Sequence, residues 1–155
     1  MKGYCGLLGR GRHCAAIITA ALLLTSAPVV AQDATLVVNM TGFRNSNGQA
    51  AVAVFNAQEG FPSDAAKAVR KQLVRIENGR AIATFNDVPP GSYAVSVLHD
   101  ENGNGVMDKS LLGKPREGYG VSNNAKARSF SAPSFESATF SLQAPGRDLI
   151  IEIRY

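Results

Sequence analysis

One stretch of the chain concentrates side chains that could do chemistry. Asp100-Glu101-Asn102-Gly103-Asn104-Gly105-Val106-Met107-Asp108 reads D-x-N-x-N-G-x-x-D. Side-chain oxygens recur at loop positions one, three, five and nine, and Gly105 stands at six, where calcium loops of the EF-hand type turn sharply. The expected ligands are Asp100, Asn102, Asn104, the backbone carbonyl of Val106, and Asp108. Ca²⁺ takes about six to eight hard oxygens at about 2.3–2.6 Å, and alternate oxygen-bearing residues on a tight loop supply several at once. Oxygen donors point to Ca²⁺ rather than Mg²⁺ or Zn²⁺. Position twelve is Leu111, not the bidentate Glu, and the incoming element reads as a strand. This is a calcium-type loop without the EF-hand frame. Its few carboxylates imply weak binding, of order 10⁻⁴–10⁻³ M. A plain Asn/Gly turn uses the same residues, and that reading stays open beside the first.

The next segment, Gly113-Lys114-Pro115-Arg116-Glu117-Gly118-Tyr119-Gly120-Val121-Ser122-Asn123-Asn124, belongs to a polar stretch running to Glu136. Loops above about 12–15 residues inside a compact domain are usually functional or disordered. Lys109, Lys114, Arg116, Lys126 and Arg128 gather here against the single acid Glu117. They could form a docking surface for an anionic partner, a glycan or a protein, with Tyr119 as a contact. They could equally be solvated cations that neutralise Asp100, Glu101 and Asp108, and the charges alone favour this second reading. His99, Lys114, Arg116, Tyr119, Ser122, Asn123 and Asn124 are the binding-face candidates.

A hydrolase would need a nucleophile, a base and an orienting group. Such a reading would use His99 as base beside Asp100, with Ser122 as nucleophile. Sequence-adjacent His-Asp is no mark of a triad, which is defined by geometry. Strand alternation puts His99 on the face of Tyr93, Val95 and Val97, as a hydrogen-bonded residue at the rim of a core. No catalytic set is spelled out, and no catalytic residue is assigned.

The elements that must position these residues read as strands. Thr35–Thr41 alternates, with Leu36, Val38 and Met40 on one face. A turn cluster, Asn45-Ser46-Asn47-Gly48, separates it from Gln49–Asn56, so the two read as a hairpin. Phe61-Pro62-Ser63-Asp64 sets up a short helix, Ala65–Arg70, capped by Ser63 or Asp64. Lys71–Glu77 and Arg80–Phe85 flank Asn78-Gly79, a strong hairpin signal. Asn86–Gly91 reads as a turn. Ser92–His99, Ser137–Leu142 and Leu149–Tyr155 complete seven strands. Seven short strands parted by turns predict an all-β, antiparallel seven-stranded Greek-key β-sandwich, with one short helix and one long loop. The strands are too short and the aromatics, 7 Phe and 4 Tyr, too few for an outer-membrane barrel.

The chain begins with an address. Lys2, Arg10, Arg12 and His13 precede the apolar run Ala15–Leu24, and Val29-Val30-Ala31 puts small residues at a cleavage site before Gln32. Ten residues of helix span about 15 Å, half of a hydrocarbon core of about 30 Å. Residues 1–31 are therefore expected to be a signal peptide and residues 32–155 one exported domain, periplasmic or extracellular. Cleavage removes both Cys, at 5 and 14, which excludes disulfides and thiol chemistry. It also removes three of the 16 cations and none of the 12 acids. The formal charge falls from +4 to +1, and a nucleic-acid partner is not expected.

Three motifs together resemble the uncharacterised bacterial family called domain of unknown function 2141: PPGSYAVSVLHDENGNGVMD, then LLGKPREGYGVSNNA, then APSFESATFSL. The resemblance covers nearly all of the chain after residue 31. It implies an exported β-sandwich module of transthyretin-like (prealbumin-like) or carboxypeptidase-regulatory-like type, and it implies no reaction. The expected function is a non-catalytic binding or structural module of the cell envelope, its long loop face ordered by Ca²⁺ and its partner an envelope protein or glycan. The alternative is a small hydrolase or isomerase of transthyretin-like type using His99 and residues 109–136.

Overall fold

The computed structural model describes residues 32–126 and 131–155. The expected signal peptide and Arg128 lie outside the described residues. Among the described residues eight strands form, one more than expected: β1 Ala34–Thr41, β2 Gln49–Phe55, β3 Arg70–Val74, β4 Arg80–Val88, β5 Gly91–Asp100, β6 Gly118–Val121, β7 Phe140–Leu142 and β8 Gly146–Glu152. They build two sheets. One has the order β4-β1-β8; the other has the order β3-β2-β5-β6, with β7 also paired to β5.

The alternation in β1 does what its spacing requires. Leu36, Val38 and Met40 are buried, and they join Ala83 and Phe85 of β4 and Leu149 and Ile151 of β8. Val52 and Val54 of β2 and Val95 and Val97 of β5 belong to the same apolar cluster. The two sheets thus share one core, each fully buried aliphatic side chain contributing about 1.5–3 kcal/mol. A smaller cluster, Ala94, Val121 and Ala138 with Phe61 and Phe135 packed against it, covers part of the second sheet. It explains why β5 is buried along most of its length instead of at every second residue.

Several expected pairings are replaced. β1 and β2 do not form a hairpin; they lie in different sheets. The Asn78-Gly79 turn does form. Glu77 and Arg80 exchange both backbone hydrogen bonds, at 2.8 and 3.0 Å, and Asn78 and Gly79 take the positive φ of 51° and 72° that a tight two-residue turn demands. The strands on either side then diverge, β3 to β2 and β4 to β1. β1 and β8 run parallel, from Thr35 beside Gly146 to Thr41 beside Glu152, so the fold is not wholly antiparallel. Asn86–Val88 continues β4 instead of turning, with a register irregularity opposite Ala34–Leu36 and Asp87 at φ 53°. The expected helix shrinks to a 3₁₀ turn, Ala65–Lys67, where the Asp64 side chain caps the Ala66 N–H. A four-residue helix, α1 Phe135–Ala138, stands where the sixth strand was expected to begin.

Candidate functional site

β5 carries His99 and Asp100 to one end of the molecule, where both are fully buried. Gly48, at φ +62°, lets the neighbouring backbone pass: a Cβ there would sit 1.9 Å from the Asp100 carbonyl oxygen. The Asp100 carboxylate then winds the following loop. Oδ1 accepts from the N–H groups of Gly103 at 2.8 Å and Asn104 at 3.0 Å, and Oδ2 accepts from Gly105 at 3.0 Å. Gly103 and Gly105 both adopt φ +76°, which glycine does without steric cost. Asn102 and Asn104 make local turns, accepting the N–H of Asn104 at 3.0 Å and of Val106 at 2.8 Å. Their amide groups both donate to Asp108, at 2.8 and 3.1 Å.

A second buried carboxylate closes the loop. Glu117 accepts the N–H of Glu101 on Oε1 and that of Asp108 on Oε2, both at 3.0 Å. The Arg116 N–H also donates to the Asp108 carbonyl at 2.9 Å. From sequence, Glu117 was only the lone acid among cations. Its isolation between Arg116 and Gly118, at the start of an unnoticed strand, was the signal available.

All five residues of the expected metal site, Asp100, Asn102, Asn104, Val106 and Asp108, are thus linked by hydrogen bonds in one loop, Val106 through its N–H to Asn104. Among the described residues no three His, Cys, Asp or Glu side chains form a metal-binding group. The donor set is two carboxylates and two amides, plus backbone.

The family described as "Uncharacterized protein conserved in bacteria (DUF2141)" matches residues 38–149, from β1 to β8. The chain belongs to this family. No curated protein and no solved structure matches it.

Next to the DUF2141 loop lies a network that sequence reasoning missed. His99 Nε2 lies 3.0 Å from the Asn47 carbonyl and Nδ1 lies 2.6 Å from the Tyr155 hydroxyl. A carbonyl only accepts, so Nε2 carries a proton, and in the neutral imidazole Tyr155 donates to Nδ1. The Tyr155 oxygen in turn accepts the Arg44 N–H at 3.0 Å. The Arg44 guanidinium stacks over the Tyr155 ring, 4.5 Å from its centre, and pairs with Glu101. Burial alone would raise the Glu101 carboxyl; hydrogen bonds from Asn45 and Arg44, with the Arg44 charge, outweigh it and hold the pKa below the usual 4.5. Burial chiefly, and the Glu101 charge with it, push the Tyr155 phenol above its ordinary value. The one clue in the sequence was an aromatic at the last position.

The binding-face candidates divide. Lys114 and Arg116 are exposed, and Tyr119 is half-buried. His99 and Ser122 are fully buried and present nothing to a partner, which corrects their place among the face candidates. Ser122 Oγ accepts the Val95 N–H at 2.9 Å and donates to the Ala138 carbonyl at 2.6 Å. Asn123 donates to the carbonyls of Ser137 and Thr139. Asn124 donates to the Ile150 carbonyl at 3.2 Å and accepts the Glu152 N–H at 2.8 Å. This run ties β5, α1 and β8 together. Val95 is four residues before His99 on β5, about 13 Å at the rise of a strand, so Ser122 and His99 do not meet. Among the described residues no ion pair joins Lys109, Lys114, Arg116 or Lys126 to Asp100, Glu101 or Asp108; Glu101 pairs with Arg44 and lies 3.9 Å from His99 Nδ1.

Proposed function

We propose that this protein is an exported, non-catalytic β-sandwich module of transthyretin-like type acting at the cell envelope, with the loop end of β5 as its binding face and Ca²⁺ as the ion that orders it. One observation carries the reading. The amide nitrogens of Asn102 and Asn104 both reach Asp108, and the same loop is wound on the oxygens of Asp100, so oxygen-bearing side chains gather at one place, and a cation would need the two amides to turn. Asp100, Asn102, Asn104, the Val106 carbonyl and Asp108 would hold the cation. It would replace the amide-to-Asp108 hydrogen bonds, and with two carboxylates its affinity would be of order 10⁻⁴–10⁻³ M. Lys114 and Arg116 stay exposed beside the loop and suit an anionic partner. Two sheets around a shared core support the sandwich type, and the short leader before Gln32 supports export.

Among the described residues no helix is long and apolar enough to cross a membrane. A hydrolase or isomerase using His99 and residues 109–136 would need His99, Asp100, Tyr119 and Ser122 in one pocket. The separate bonding of His99 and Ser122 speaks against it. Calorimetric titration with millimolar Ca²⁺ tests the ion. At ten times the Kd, binding to the folded state adds about 1.4 kcal/mol, a rise of about 5 °C in melting temperature for a domain of this size. Asp108→Ala should abolish both heat and shift. Absence of heat and shift in the unaltered protein would overturn the Ca²⁺ reading.

A further inference from the structure

Between the Asp100 loop and Glu117 the chain makes a short finger. Lys109 and Pro115 bridge antiparallel. The Ser110 N–H donates to the Lys114 carbonyl at 2.8 Å, and the Gly113 N–H to the Ser110 carbonyl at 2.9 Å. Leu111 and Leu112 are the two central residues of that turn, 107% and 85% exposed. Such positions ordinarily hold Gly, Asn, Asp or Ser. Two adjacent leucines at the tip of a polar finger have no packing role in the fold that carries them.

The surroundings are cationic. Lys109, Lys114 and Arg116 are exposed, and among the described residues none of the three makes an ion pair. The nearest acids are engaged: Asp108 with the amides of Asn102 and Asn104, Glu117 with two backbone N–H groups. The finger therefore presents an apolar tip with free positive charge behind it.

We propose that this finger docks the protein on a bilayer surface that carries anionic headgroups. Leu111 and Leu112 enter the boundary between headgroups and acyl chains, and Lys109, Lys114 and Arg116 meet lipid phosphates. The inference rests on reading this end of the molecule as the binding face, and it gives that face a lipid partner. A protein partner fits less well. Two side chains on a convex tip fall far short of the roughly 800 Å² per side of a stable protein interface, and lysine is depleted from such interfaces. A bilayer needs no matching groove. It accepts small apolar anchors, and single weak anchors gain from adjacent basic residues.

The test is co-sedimentation of the protein, purified as the cell makes it, with phosphatidylcholine vesicles containing or lacking phosphatidylglycerol. Residues 1–31, where retained, are common to every variant, so only differences between variants are read. The unaltered protein should pellet with the anionic vesicles. Leu111→Ser with Leu112→Ser should weaken partitioning about a hundredfold, from the transfer of two leucine side chains. Lys109→Gln, Lys114→Gln and Arg116→Gln together should weaken it to a similar extent, at about fivefold per cation. The chain has no Trp, so Leu112→Trp is a clean depth reporter, and its fluorescence should be quenched by brominated acyl chains. Equal partitioning of the double-serine variant and the unaltered protein would overturn the proposal. So would an unaltered protein that ignores the vesicles while the double-serine variant loses a cross-link to an envelope protein. Chelator separates this inference from the ion reading. Vesicle binding without calorimetric Ca²⁺ heat removes the ion and leaves the lipid; Ca²⁺ heat without vesicle binding does the reverse.

Discussion

Two asparagine-bearing polar runs lie beyond the body of β5: Asp100–Asp108, with three acids and two glycines, and Ser122–Asn124, with neither. In the first, the buried carboxylate of Asp100 takes up backbone N–H groups and leaves Asn102, Asn104 and Asp108 bonded to one another near the surface. In the second, every side chain is bonded to the backbone of another segment. The first run gathers its donors on a loop; the second uses its donors to hold strands and α1 in place. Neighbours add to the difference: Ser122–Asn124 follows a strand that lies against β8, whereas the hydrogen bonds of Asn102–Asp108 stay within the Asp100 loop or reach Arg116 and Glu117.

The contrast can be broken at its strongest point first. Asp100→Ala removes an acceptor from three backbone N–H groups, of which that of Asn104 keeps Asn102 Oδ1, and should cost about 2–5 kcal/mol, at about 1–3 kcal/mol for each of the two left unpaired and some relief from water. Urea unfolding would register the loss, and Asp100→Asn, which keeps one oxygen, should lose about half as much. Gly120→Ala comes next. Its Cβ would lie 2.6 Å from Ile151 Cγ2 and 2.9 Å from the Glu152 carbonyl, an overpacking cost of about 1–3 kcal/mol. That change should loosen Ser122–Asn124 and leave the Asp100 loop protected, as amide exchange would report.

Asn124→Ala removes two hydrogen bonds to β8 and should cost about 1–2 kcal/mol in a thermal melt, without altering Ca²⁺ heat. The least effect is one of pH. The folded-state pKa of Glu101 is lowered, so its contribution is fully present above the usual 4.5 and is lost as pH falls through the folded value. Glu101→Gln should flatten that acid limb of a stability–pH curve. An unchanged limb would remove the Arg44–Glu101 pair from the account.

The individual strands were largely legible, because alternation writes the buried face of β1 into Leu36, Val38 and Met40, and β-branched residues mark β2 and β5. Their partners were not. Asn78-Gly79 announces a turn, and the turn is there, yet nothing local says that β3 and β4 will part into different sheets. Alternation carries no direction, so the parallel pairing of β1 with β8 was hidden. β6 was hidden for another reason. Gly-Tyr-Gly is poor strand material, and only the approach of Ile151 and Ile153 to Gly118 and Gly120 makes glycine the fitting residue. At the site, oxygen spacing exposed Asp100, Asn102, Asn104 and Asp108. Glu117, Arg44 and Tyr155 act through contacts distant in the chain and left no periodic trace.

The central claim is that the Asp100–Asp108 loop, and not the Ser122–Asn124 run, is the part of this end that takes a ligand. A Ca²⁺ titration followed residue by residue through backbone amide NMR signals tests it most directly. The account predicts saturable shifts concentrated on residues 100–108, with a midpoint of order 10⁻⁴–10⁻³ M, while the signals of Ser122, Asn123 and Asn124 stay in place. Shifts centred on residues 119–126, or no saturable shift in the loop, would contradict it.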